Sequence, residues 1–405
     1  MTARFRKEVR RKLYQFTRKV ATVMSDTRRQ RFVEEMIVGV VVSGKVHLTE
    51  VARAASYGTV DVHAAEKRLS RHLNSEHWDT SSLTNHLLEL SSQRVDDNSL
   101  IVVDLTDVAK PYSRKLEGLG RVRDASDPDG RLVPGYVLLE AYVRVGRWQM
   151  FPLLIVPLKT YSGAATSENT EICEHLRTIC DYTGGRGIYV LDRGADRREL
   201  FQEMLQRQLA FLVRLRGDRH IITQDGRKLS VCERAHEILS EYSPKRCWPH
   251  EGLLHTELIQ LPDFDGQEFL LVLFWIRKDH EPLMLLVSPQ ARKKGRTGWW
   301  FVKAYRRRWG VEDATRSIKQ QFSLEQFLVR SWRSICRLLC FVGLAFYWLN
   351  SWGEESYNKL LERLLNHPSR LPKQVTYLFN GVASQIRQLL RPKLKIPLCG
   401  YFDTG

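Results

Sequence analysis

Paired cysteines are missing from this 405-residue chain. It has seven, at positions 173, 180, 232, 247, 336, 340 and 399, an odd number with no CxxC among them. That excludes a disulfide framework and suits a reduced, cytosolic interior. The run CWPHEGLLH, Cys247 to His255, offers one thiol and two imidazoles but no fourth ligand at zinc-site spacing. Long apolar runs are scarce too. The best, SICRLLCFVGLAFYWLNSW (Ser334 to Trp352), contains Arg337 and falls short of the ~20 apolar residues of a membrane span. A buried core helix is expected there, and no membrane partner. The N-terminus is too charged for a secretory signal. Internal repeats, low-complexity linkers and an RNP-type aromatic motif are also lacking, and the last of these leaves RNA binding without support.

Negative charge is in short supply. Lys and Arg number 63 against 46 Asp and Glu, for a net charge of +17 and a pI near 9.6. Such an excess implies a polyanionic partner: DNA, RNA or an anionic membrane. The bias peaks in the first thirty-one residues, with eleven basic residues against Glu8 and Asp26. Hydrophobic content of 43% still supports a sizeable core.

Residues 1–95 read as helical. Within VHLTEVARAASYGTVDVHAAEKRLSRHLNS (Val46 to Ser75) the pattern predicts helix, turn, helix. Thr49 would cap the first helix and Gly58 would lie in the connection. Leu69 and Leu73 would face inward, leaving Lys67, Arg68 and Arg71 for groove or backbone contacts on DNA. Strand patterning begins near residue 99. SLIVVDLTDV, PGYVLLEAYVRV and WQMFPLLIVPLKT predict three strands. SENTEICEHLRTICDYTGG predicts a helix, RGIYVLDRGAD a strand, RRELFQEMLQRQ a helix and AFLVRLRGDR a fifth strand. That order is the ribonuclease H-like one. From 220 to 298 the short apolar runs RKLSVCER, TELIQL, EFLLVLFWIR and PLMLLVSP predict a β-rich insertion.

Two apolar runs each lead into an aspartate, Asp104 after LIVV and Asp192 after IYVL. Carboxylates on such rigid, partly dry platforms repel unless a cation sits between them. Asp107 competes with Asp104, and Asp196 fits a helix cap better than Asp192 does. A third element is YRRRWGVEDATRSIK, Tyr305 to Lys319. At about 100° per residue a single helix here gathers Tyr305, Arg308, Glu312, Arg316 and Lys319 on one face, with Trp309 near it and Asp313 turned away. Such a face suits a phosphate backbone, with Glu312 free for a metal. A solvated, ion-paired helix is the plain alternative.

Asp104, Asp192 and Glu312, with Tyr305, Arg308, Glu312 and Lys319 at YREK spacing, resemble the DDE triad and signature of the insertion sequence 4 transposases of bacteria. The resemblance implies an α+β, multidomain protein. Residues 1–95 would form an all-helical end-binding domain. The ribonuclease H-like catalytic core, a mixed five-stranded sheet with flanking helices, comprises 96–219 and 299–350. The β-rich insertion would be 220–298, and 351–405 a helical C-terminal region to which analogy with the family assigns dimer contacts. It implies a metal-dependent enzyme with two Mg²⁺ ions per active site on Asp104, Asp192 and Glu312, Mn²⁺ substituting, and no small-molecule cofactor. Its partners would be double-stranded DNA, as terminal inverted repeats and target, and a second copy of the chain. Its place would be the bacterial cytoplasm, on the nucleoid. Arg308 and Lys319 would hold transposon-end phosphates with Tyr305 assisting them, and Trp309 would lie by a flipped or hairpinned end. Met284 would push a base out, with core packing as its alternative and Trp275, Trp299 and Trp300 as rival stacking partners. Thr106 would support the site and Arg193 would touch phosphate. A DNA-binding regulator without catalysis, and a nuclease without strand transfer, are the alternative functions.

Overall fold

The computed structural model describes residues 3–56, 61–123, 129–146, 149–162, 166–241, 252–277, 279–352 and 378–390. The connection at Gly58, Cys247, His250, Cys399 and most of the expected C-terminal region lie outside them.

Five helices open the chain: α1 (Ala3–Ala21), α2 (Thr27–Ser43), α3 (Leu48–Ser56), α4 (Val62–Asn74) and α5 (Ser81–Ser92). Asp26 starts α2 by accepting from the Arg29 N–H at 2.9 Å, and Gly44 ends it in the left-handed conformation, φ 67°. The β-branched stretch of α2, Val38 to Val42, reads locally as strand. It is helical because the whole segment is buried at the centre of this bundle. α3 seats against α2 at Gly39, where a Cβ would lie 2.5 Å from Val51 Cγ1 and 2.7 Å from its carbonyl oxygen. Leu69 and Leu73 of α4 are buried as expected. Thr49 is not the cap of α3. The helix begins at Leu48, and the Thr49 hydroxyl instead bridges to Glu66 of α4 at 2.7 Å.

The strands are β1 (Leu100–Ala109), β2 (Gly120–Arg123), β3 (Leu132–Val145), β4 (Gln149–Pro157), β5 (Ile188–Leu191), β6 (Phe211–Arg214), β7 (His220–Ile222), β8 (Lys228–Ser230), β9 (Leu253–Gln260), β10 (Glu268–Trp275) and β11 (Leu283–Val287). They form one mixed sheet in the order β2-β3-β1-β5-β6-β11-β10-β9-β7-β8, with β4 paired to the later part of β3. β1 is antiparallel to β3 and parallel to β5, which is parallel to β6. The strands beyond residue 220 continue this sheet, because β11 pairs with β6 through Val213 and Leu286.

Between the strands run α6 (Glu168–Thr183), α7 (Arg198–Gln206) and α8 (Val231–Glu241), and after the last strand comes α9 (Pro289–Arg292). They are followed by α10 (Gly298–Arg307), α11 (Gly310–Gln321), α12 (Trp332–Asn350) and α13 (Leu378–Leu390). α8 replaces the second half of the strand expected from RKLSVCER. Its start is a reciprocal cap. Ser230 Oγ accepts from the Glu233 N–H at 3.1 Å, and a Glu233 carboxyl oxygen accepts from the Ser230 N–H at 2.7 Å. Val231, Ala235 and Ile238 then fall at helical period and are buried.

α12 is long and apolar enough to cross a membrane, yet 83% of its apolar window is buried inside the protein. Phe341, Phe346 and Tyr347 pack on Phe32, Tyr142 and Phe151, from α2, β3 and β4. Arg337 is satisfied by carbonyl oxygens of Leu73, Ser75 and Trp78, so it ties this core helix to the end of α4.

Candidate active site

The parallel pairing of β1 and β5 runs from Leu100↔Ile188 to Val103↔Leu191. The next residues are Asp104 and Asp192, which leave neighbouring strands at one level, about 4.8 Å apart between chains. Asp104 does not end its strand. β1 continues to Ala109, paired throughout with β3. The carboxylate sits where β5 stops, so only one side of β1 is still covered by a strand. Asp192 starts a 3-10 turn and accepts from the Gly194 N–H at 2.8 Å. Both acids line a small cavity of about 120 Å³, together with Leu105, Gly194 and Arg197.

The rival acids are placed elsewhere. Asp107, three residues along β1, points to the opposite face from Asp104. Asp196 is buried at 1% exposure and accepts from the Arg216 N–H at 2.8 Å and Arg219 Nε at 2.7 Å. It is a structural anchor of the β6–β7 connection, and neither it nor Asp192 caps α7.

The third acid arrives on a helix that breaks. The stretch expected to be one helix is two, α10 and α11, joined through Arg308 and Trp309. Amides of Arg308, Trp309, Val311 and Glu312 bond three residues back, to Tyr305, Arg306, Arg308 and Trp309, which tightens the turn. Arg144 of β3 holds the break by donating to the Arg307 carbonyl at 2.7 Å. Gly310 gives the guanidinium room, since a Cβ there would lie 2.9 Å from Arg144 Nη1.

The break aims Arg308 inward. Its Nη1 meets Asp104 Oδ2 at 2.9 Å and its Nη2 meets Glu312 Oε1 at 3.1 Å. The guanidinium is 8% exposed and lies over the Tyr305 ring, 5.6 Å from its centroid. Burial pushes Asp104 up to about 6; Arg308 opposes that shift, and Asp192 and Glu312 reinforce it. The three acids, far apart in sequence, therefore act on one another through space. They are not gathered around one point: among the described residues no three His, Cys, Asp or Glu side chains are grouped to hold a metal ion. Arg308 occupies the acids' mutual ground as their present counter-charge.

Lys319, on the last turn of α11, donates to the Asp107 carbonyl at 2.5 Å. Tyr305 is buried and Trp309 is exposed, at 5% and 61%. Arg193 is exposed beside Asp192, and Thr106 of β1 is half-buried. On α4, Lys67 and Arg71 face solvent, whereas Arg68 is held by Glu35 of α2 at 2.7 Å and is no free phosphate contact. Met284 is 2% exposed in β11 and Trp275 is 1% exposed in β10, which makes both core residues here. Trp299 packs edge-on against Phe274 and Trp300 against Phe301. The sequence reading passed over Glu140 and Arg144. Their signal is an acid and a base inside the apolar run of β3, where neither is needed for the strand.

Residues 161–349 match the family model of the transposase DDE domain. The match takes in Asp192 and the whole of α10 and α11, and begins after Asp104. No curated protein sequence matches the chain. A cryo-EM structure of piggyBac transposase in a synaptic complex with hairpin DNA aligns at TM-score 0.44 and 12% identity, covering 96% of this chain and 80% of that one. A likeness that slight carries no functional conclusion. The DDE domain match rests instead on the segment that holds the second aspartate, the YREK helices and the strands between them.

Proposed function

We propose that the protein is a cut-and-paste DNA transposase of the insertion sequence 4 type. It would bind terminal inverted repeats, cleave the transposon ends and join the freed 3′-hydroxyls to target DNA. The observation that carries this reading is Arg308, which pairs with Asp104 at 2.9 Å and with Glu312 at 3.1 Å, while Asp192, just past the end of β5, lines one cavity with Asp104. The strand order β4-β3-β1-β5-β6, three antiparallel then two parallel, supports a ribonuclease H-like core for 96–219 with 299–350. Residues 1–95 would be the end-binding domain, 220–298 an insertion that extends the sheet, and 351–405 a region of dimer contacts.

The donor set fits hard divalent cations. It is all carboxylate oxygen, and burial and the other acids push the Asp104 carboxyl up toward the neutral form, a cost that a cation relieves. Asp104, Asp192 and Glu312 would hold two Mg²⁺ ions, or Mn²⁺. When bound these supply an activated hydroxyl and stabilise the leaving oxygen of an in-line phosphoryl transfer. Glu312 would join the aspartates only once Arg308 lets go of it. Arg308 has a natural alternative partner in a DNA phosphate, which a guanidinium grips bidentately. The same arginine would thus neutralise the acids without DNA and clamp the backbone with it. Tyr305 beneath it keeps the guanidinium plane fixed. Lys319 and the exposed Trp309, Arg193, Lys67 and Arg71 would add contacts to the backbone or to an unstacked base. Arg68 and Met284 are left out of that set, because one is ion-paired and the other is buried. Two chains would pair two ends in the cytoplasm, on the nucleoid.

The test uses a labelled inverted-repeat duplex, a target plasmid and Mg²⁺, with products resolved on a denaturing gel. Asp104→Ala, Asp192→Ala and Glu312→Ala are each expected to bind the end and to lose cleavage and joining. Wild-type binding without cleavage would favour a regulator. Cleavage without joining would favour a nuclease.

A further inference from the structure

Glu140 is an acid in the interior of the molecule. It lies mid-way along β3, directly opposite Asp104 in the antiparallel register, so the two side chains share one face of the sheet. It is 1% exposed, with Leu138, Leu139, Ala141, Tyr142 and Val143 buried around it. A buried carboxyl is costly unless it bonds something. Glu140 Oε2 accepts from the Thr315 hydroxyl of α11. Burial pushes Glu140 up to about 7; Thr315 and Lys319 act against that shift, and Asp104 adds to it.

Thr315 lies three residues after Glu312 and four before Lys319, on the same helical face. α11 is only twelve residues long, and the break at Arg308–Trp309 separates it from α10. Its seat on the sheet is therefore not inherited from α10. Val311, Ala314 and Ile318 pack it into the core, and two polar tethers fix its position there: Glu140 to Thr315 in the middle, and Lys319 to the Asp107 carbonyl at the end. We propose that Glu140 is a positioning residue of the site, fixing through Thr315 how far Glu312 stands from Asp104. This rests on the transposase reading of the same site. Glu140 touches no reacting atom. It works through α11, and what it needs is an acceptor oxygen of the right reach.

Four variants test this: Glu140→Gln, Glu140→Ala, Thr315→Val and the double Glu140→Ala/Thr315→Val. The readouts are end-duplex binding, the Mn²⁺ concentration for half-maximal cleavage, and amide hydrogen exchange along α11. Glu140→Gln keeps an acceptor and is expected to stay near wild type. Glu140→Ala and Thr315→Val should each raise the Mn²⁺ requirement about tenfold or more, the usual cost of losing a group that orients a ligand. End binding should be unchanged. The double variant should be no worse than either single, because both remove one link. Additive effects, an unchanged Mn²⁺ requirement, or a Gln variant as impaired as the Ala variant would each overturn the proposal. Hydrogen exchange is read without cleavage, and Glu140→Ala and Thr315→Val should both speed it in α11 while Glu140→Gln does not. A wild type that never cuts DNA would defeat the transposase reading, and unaltered exchange in both variants would defeat the role of Glu140.

Discussion

Asp104 and Glu140 face each other across one pair of strands, and both are driven toward the neutral form by burial. An acid whose folded pKa is raised binds more protons folded than unfolded between the two values. Stability therefore falls as pH rises through that window. For Glu140 the window runs from its ordinary 4.5 to about 7, and for Asp104 from 3.8 to about 6. Without divalent ions, the unfolding free energy is expected to drop between pH 4 and 7, measured by urea denaturation in EDTA. Glu140→Gln has no proton to lose, so it should flatten the slope by an amount on the order of 3 kcal/mol across the window. An equally steep slope in that variant would place the titration elsewhere. At this scale the sequence exposed Asp104 and Asp192 because acids after apolar runs stand out, and Glu312 by its spacing from Tyr305, Arg308 and Lys319. Glu140 went unseen because a single polar letter inside a strand carries no sign of what lies across the sheet.

Elements here are set as much by close approach as by propensity. α2 carries Val38, Val40, Val41 and Val42, a run that favours strands, yet it is helical because α3 and α12 close around it. Gly39 is the point of closest approach. Replacing it by Ala gains about 1 kcal/mol of helix propensity. The new methyl would meet the Val51 backbone carbonyl oxygen at 2.7 Å, and overpacking of that kind costs about 1–3 kcal/mol. The clash wins because the obstacle is backbone. Gly39→Ala should lower the urea midpoint with the slope unchanged, and a higher midpoint would mean that α3 can move aside. The α10–α11 break follows the same logic. Local spacing reads one helix from Tyr305 to Lys319. Arg144 and the room at Gly310 stabilise the break, and both depend on β3, a strand more than a hundred and fifty residues upstream.

Across the whole molecule, α12 joins the N-terminal helices to the sheet that bears the acids. It does so through aromatic packing and through Arg337, whose guanidinium lies 3.7 Å from the Trp78 ring centroid and donates to the α4 terminus. Burial holds Arg337 down to about 10, still charged at neutral pH. Arg337→Met keeps the volume and strips the donors from several buried carbonyls, which should cost about 3 kcal/mol or more. Hydrogen exchange should then rise at the end of α4 before it rises in β1. Equal protection at α4 in both proteins would show that packing alone joins the two parts. The single sheet running from β2 to β8 has a related consequence: the strands after residue 220 brace β6 through β11, so they are structurally continuous with the site's platform.

By itself the sequence determined the excess of positive charge, the helical start, the longer strands and helices through residue 214 with the short β2 missed, and the acids that stand out as candidates. Each is written in composition or in a local period, where neighbouring residues alone set the pattern. Tertiary structure decided that β1 runs on past Asp104 and that the signature helix breaks. It put Arg308 between two acids, sent Met284 into the core, and placed Glu140 under α11. These depend on which backbone and side-chain atoms meet across long sequence separations, and no period along the chain encodes such meetings.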